Sequence, residues 1–164
     1  MVASSHHQII LDVIDSDLTI GDHIRFLVTS NSMQPILIIG DTIIVEIING
    51  KQAHIGDILL LKRSNDFLAH RVISKTVGGW ITKGDNNTLP DPPTNNNEIV
   101  GRVKFVLGTQ QTIDLYTRKW QILNRLLANL SDLESLAFSH HGYLRIPFRM
   151  MIKVIQKFST IQFR

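Results

Sequence analysis

Residues 56–75 read GDILLLKRSNDFLAHRVISK, two apolar, β-branched runs on either side of Ser64-Asn65-Asp66. Each run has the length and content of a strand, and the polar break between them predicts a turn. Upstream, HIRFLVTS (23–30) and DTIIVEII (41–48) read the same way, separated by a turn at Gly40-Asp41. NGKQAHIG (49–56) is a turn-rich link. Downstream, WIT (80–82) is a short strand entered through Gly78-Gly79, and EIVGRVKFVLG (98–108) returns to strand. Between them, KGDNNTLPDPPTNNN (83–97) is too rich in Pro, Asn and Gly for a helix or a ladder and is expected to be loop. Strands without alternating helices predict a mainly β body, not a parallel α/β sheet.

The texture changes after Gly108. TRKWQILNRLLANLSDLESLAF (117–138) carries Trp120, Leu123, Leu127, Leu130 and Leu133 at helical spacing, with Leu126 widening the stripe. YLRIPFRMMIKVIQKF (143–158) is a second helical candidate, with Arg145, Arg149, Lys153 and Lys157 four apart. The expected organisation is an N-terminal segment (1–23), a β body (24–108) and a helical C-terminal region (109–164).

At 164 residues and 43% hydrophobic content the chain suffices for one domain with a real core. Cysteine is absent, which excludes disulfides, thiolate catalysis and Cys-based zinc sites. The net charge of +3 conceals an asymmetry: residues 1–100 hold seven Lys/Arg against eleven Asp/Glu, and residues 101–164 hold ten against three. No apolar run approaches the ~18–20 residues needed to span a bilayer, so a soluble or peripheral chain is expected. Gly40-Asp41 and Gly56-Asp57 read as turns that set register. The pairs His6-His7 and His140-His141 do not provide metal-ligand geometry, and no metal or other cofactor is expected.

Three polar elements stand out. Ser32 lies in an abrupt break after a strand, His70 lies within FLAHRVISK, and Asp85 and Asp91 lie in the long loop. A serine nucleophile needs a base, a group that holds the base, and donors for the oxyanion. Spacing alone does not distinguish such a set from a turn hydroxyl, a satisfied buried imidazole and a turn-forming carboxylate.

SNSMQPILIIGDTIIVE (30–46) resembles the Ser-x-Ser-Met-x-Pro segment of type I signal peptidases. GDILLLKRSNDFLAHRVISK resembles that family's base-bearing segment, and GGWITKGDNNTLPD (78–91) its third segment. His at position 70 is similar to the Ser-His-Asp branch of the endoplasmic reticulum, archaea and some Gram-positive bacteria. The resemblance covers about residues 25–107 and implies a signal peptidase/LexA-like β body with a helical appendage. It also implies a serine endopeptidase cutting extended peptides or preproteins after small residues, Ala-x-Ala-like. It assigns Ser32 as nucleophile and oxyanion donor, His70 as base, Asp91 as orienting acid, Ser30 and Asp85 as supporting residues, and Met33 as substrate lining. Asn31 stands where the family carries Gly, and the family's membrane-spanning segment has no counterpart in these residues.

Other readings stay open. Lys62 or Lys83 could serve as base in a LexA-like Ser-Lys self-cleaving regulator, or the body could be a catalytically silent peptide- or protein-binding module. Arg71, one position on from His70, should point to the opposite face and form a salt bridge or lie at the surface. The basic segment 142–164 fits an anionic membrane surface or packing on the chain's own helix, and the C-terminal helices could support a homo-oligomer. No specific nucleic acid partner is expected.

Overall fold

The computed structural model describes residues 18–64, 66–109, 112–138 and 154. The strands are β1 (His23–Leu27), β2 (Thr42–Ile47), β3 (Ile58–Arg63), β4 (Asp66–Thr76), β5 (Gly79–Lys83), β6 (Ile99–Leu107) and β7 (Thr112–Asp114), followed by helix α1 (Arg118–Phe138). They form a seven-stranded sheet in the order β1-β2-β6-β3-β4-β5, with β7 on β6. Every pairing is antiparallel. The chain is a mainly β domain with a C-terminal helix.

The run ILLL at 58–61 is continuous rather than alternating because both faces of β3 are covered. Ile58 and Leu60 join a core with Val45, Val103, Val106, Met33, Trp120 and Leu127. Leu59 and Leu61 join a second core with Ile48, Ala53, Val72, Trp80 and Ile99. A central strand buried on both sides reads as an unbroken apolar run. The β3–β4 hairpin closes with Arg63 opposite Asp66, and Ser64 adopts φ +34, the left-handed conformation that two-residue hairpin turns require. At both Gly-Asp turns the glycine has positive φ, +94 at Gly40 and +98 at Gly56. Each aspartate accepts a backbone N–H three residues back, Ile38 for Asp41 and His54 for Asp57. Those carboxylates set turns, as their sequence context suggests.

Three expectations need correction. The sheet does not end at 108, because β7 lies within the region read as helical, and Trp120 and Leu127 of α1 belong to the first core. Leu126 and Leu133 are not on the buried stripe: they are 53% and 54% exposed, and Asn124, Ser131 and Glu134 take buried positions instead. The reason is that α1 packs over charged groups, Arg71 of β4 and Lys83 of β5, as well as apolar surface. The 83–97 segment is also not wholly without a ladder. Trp80 and Thr94 exchange two backbone hydrogen bonds, and the Asp91 N–H donates to the Thr82 carbonyl at 2.8 Å. Residues 91–94 therefore run back along β5. Residues 1–17 and all of the basic segment 142–164 except Val154 lie outside the described residues. No described helix is long and apolar enough to cross a membrane.

Tyr116, just before α1, donates its hydroxyl to Asp57 Oδ1 at 2.9 Å, and Lys104 Nζ sits 3.9 Å from its ring centre. Burial, and then the Asp57 carboxylate, raise its pKa well above the ordinary phenol value. An acid whose folded pKa is raised contributes stability below the unfolded value of about 10, lost as pH rises through the folded one. In a spectrophotometric titration the native protein is expected to ionise one tyrosine fewer near pH 10 than the denatured protein. Tyr116→Phe should remove that deficit; an unchanged deficit would place the late phenol elsewhere.

Candidate active site

The pleat of β4 separates two kinds of polar side chain. His70 stands opposite Leu59 and shares its face; Arg71 stands opposite Ile58 and Lys83 and faces α1. Sequence alternation anticipates this division, and both side chains are buried, at 2% and 0% exposure.

On the first face, His70 Nδ1 hydrogen-bonds with Asp91 Oδ2 at 2.6 Å. The same oxygen accepts the Thr82 hydroxyl at 2.7 Å. A carboxylate only accepts, so Nδ1 carries the proton and, in the neutral ring, Nε2 is left as acceptor. Nε2 is buried and has no hydrogen-bond partner among the described residues. Buried polar atoms rarely go unpaired, and the exceptions concentrate where a reacting group must be received.

Gly84 defines what Nε2 faces. A Cβ built on Gly84 would lie 2.8 Å from His70 Nε2 and 2.8 Å from the Ser32 carbonyl oxygen. The Ser32 backbone and Nε2 therefore border one small space that only a glycine leaves open. The loop after Gly84 fixes the other side: Asn86 N–H donates to the Ser32 carbonyl at 2.7 Å, and Asn86 Nδ2 to the Asn31 carbonyl at 3.3 Å. Ser32 is half-buried, and its hydroxyl hydrogen-bonds with Ser30 Oγ at 3.3 Å rather than with His70. The structure thus brings His70 and Asp91 into direct contact and Ser32 beside them, without an Oγ–Nε2 bond.

Beside Ser32 lies a cavity of about 260 Å³. Ser30, Ser32 and Met33 line one side, and Phe26, Leu60, Phe67 and Ala69 line much of the rest. Met33 is 2% exposed, and its Sδ accepts the Asp85 N–H at 3.4 Å, so it also ties the serine turn to the Gly84–Asn87 loop.

On the opposite face, Asp85 receives Arg71 Nε and Nη2, each at 2.8 Å. Arg71 Nη1 donates to the Gly56 carbonyl at 3.0 Å and to Asn124 Oδ1 of α1 at 2.9 Å. Asp85 thus partners Arg71, and Asp91 is the carboxylate that touches the imidazole. Lys83, one of the candidate lysine bases, pairs with Glu134 of α1, both side chains being almost fully buried. Lys62 stands opposite Phe67, half-exposed. Sequence reading missed Thr82, Asn86, Asn124 and Glu134. The Gly-Asp-Asn-Asn turn could have pointed to Asn86, but nothing local marks the other three.

No protein-family model matches the chain, and no match is found among curated proteins.

Proposed function

We propose that the chain is a serine endopeptidase of the signal peptidase type, with Ser32 as nucleophile, His70 as general base and Asp91 as the acid that orients it. One observation carries the reading. Nδ1 of His70 is held by Asp91 while its buried, unpartnered Nε2 borders the space at Gly84 that the Ser32 backbone also borders. The signal peptidase/LexA-like description of the sheet belongs to the same proposal.

The reaction requires the Ser32 side chain to leave Ser30 for another staggered well, with Oγ within reach of Nε2. Catalytic hydrogen bonds commonly tighten only once substrate is bound. Oγ then attacks the scissile carbonyl as Nε2 takes its proton, and the imidazolium is stabilised by Asp91. Collapse of the tetrahedral adduct breaks the C–N bond, and Nε2 passes its proton to the leaving amine. Water, deprotonated by the same nitrogen, releases the acyl group and restores the Ser32 hydroxyl.

The substrate lies extended along the outer side of β1, whose only sheet partner among the described residues is β2. Alternate residues of an extended peptide point the same way, so the first and third side chains before the cut enter the cavity beside Ser32 together. The resemblance to signal peptidases implies small residues at both positions. An Ala-x-Ala peptide should be cleaved after the second Ala, with kcat/KM lowered at least ~10-fold when that Ala becomes Leu. Equal cleavage of the Leu peptide would contradict the assignment.

The Ser30–Ser32 hydrogen bond favours a second reading, a peptide-binding module without turnover. That reading expects saturable binding of the same peptide, unaffected by Ser32→Ala, with no product.

A further inference from the structure

The outward face of α1 is built for another protein surface. Ile122, Leu126 and Leu133 are 57%, 53% and 54% exposed, although the inward face of the same helix is buried in the core. With the exposed Asn129 they occur at 122, 126, 129 and 133, a 4-3-4 spacing. That is the spacing of the seam positions of a heptad, which keep one line along a helix and meet the same line on a second helix. A single surface leucine needs no explanation, but three at seam spacing on a helix whose other side already holds it to the sheet do.

The residues beside the seam indicate which partner fits. Arg125 and Asp132 flank it seven residues apart, on the same side, Arg125 exposed and Asp132 half-buried. A two-fold axis crossing antiparallel helices between residues 128 and 129 brings Arg125 of each copy to Asp132 of the other. The seam pairs Ile122–Leu133 and Leu126–Asn129 centre one residue away, between 127 and 128, the offset between core and flanking pairs in an antiparallel pair of helices. An apolar line with opposite charges that become reciprocal under a two-fold axis is a self-complementary surface, as a two-fold dimer contact requires. A lipid surface fits less well, because Asn129 and Asp132 would enter the apolar layer.

We infer that this chain forms an antiparallel dimer through the outward face of α1, with Ile122, Leu126, Asn129 and Leu133 as its seam and reciprocal Arg125–Asp132 pairs beside it. The seam spans roughly 17 Å, eleven residues at the helical rise. An interface of that length falls below the ~1,000 Å² of a stable complex, so the dimer is weak and concentration-dependent. No residue of α1 lines the cavity beside Ser32, so the contact leaves that cleft open. The inference does not depend on the peptidase reading.

Charge exchange tests it with the full chain. In sedimentation velocity the average mass should climb from 18.6 kDa towards twice that value as concentration rises from about 10 µM to about 1 mM. Arg125→Asp and Asp132→Arg alone each place like charges across the axis and should weaken dimerisation about 10-fold. The double exchange should restore it, and so should mixing the two single variants, because both cross-pairs are then attractive. Leu126→Arg should hold the protein monomeric, with circular dichroism confirming an unchanged helix. A monomer at ~1 mM would overturn the inference. So would a double exchange or a mixture that associates no better than the single variants, the result expected if lipid or another segment of the chain covers this face.

Discussion

Ser32→Ala and His70→Ala are each expected to lower kcat for an Ala-x-Ala peptide by about 10⁴–10⁶-fold, with the fold retained. Ser32 is half-buried and, among the described residues, its hydroxyl bonds only to Ser30 Oγ, so its removal disturbs little else. The two losses should not add, because one cannot take a proton the other does not present. Asp91→Asn should cost about 10³–10⁴-fold. An amide cannot accept both His70 Nδ1–H and the Thr82 hydroxyl with the strength of a carboxylate oxygen, and its NH₂ can turn the imidazole to the wrong tautomer. Asp85→Asn should act differently, through the bidentate contact with Arg71, and appear mainly as lost stability. An Asp91→Asn enzyme with full activity, beside a dead but folded Asp85→Asn enzyme, would reverse the two assignments.

The second large effect concerns Lys83 and Glu134. Their side chains are 1% and 4% exposed, and the pair joins α1 to the end of β5, one residue before Gly84. Removing one member breaks a buried ion pair, at a cost of about 3–5 kcal/mol. For a domain of this size that is a fall in Tm of roughly 10 °C. Replacing both by apolar residues of similar volume is often neutral or stabilising. Glu134→Leu and Lys83→Met alone should therefore be strongly destabilised, and the double variant should unfold close to the parent. The double variant also separates the candidate bases, since it should still cleave peptide if His70 is the base. A stable, folded double variant without activity would instead point to Lys83.

Six of the seven strands were legible because each carries its apolar run between turn formers; β7, three residues long, was not. The helix at 118–138 was legible from its period, but which leucines face inward was not. Leu126 and Leu133 fit the stripe as well as Leu127, and the choice is made by Arg71 and Lys83 on the distant strands β4 and β5, which require Asn124 and Glu134 opposite them. In the site, His70 and Arg71 divide between faces as alternation dictates. The contact of His70 with Asp91 came from resemblance alone, because it depends on residues 91–94 folding back on β5, a backbone pairing that a Pro- and Asn-rich segment does not advertise. Thr82 was invisible for the same reason, since it acts on a residue brought near by tertiary structure.

The most direct test of the central claim is digestion of a mixed peptide library by the full-length protein and by its Ser32→Ala variant, with products identified by mass spectrometry. New termini after small residues, Ala foremost at the first and third positions, are expected with the parent protein and absent with Ser32→Ala. Identical product spectra from the two proteins, or cleavage that persists undiminished without the Ser32 hydroxyl, would contradict a serine nucleophile at this site.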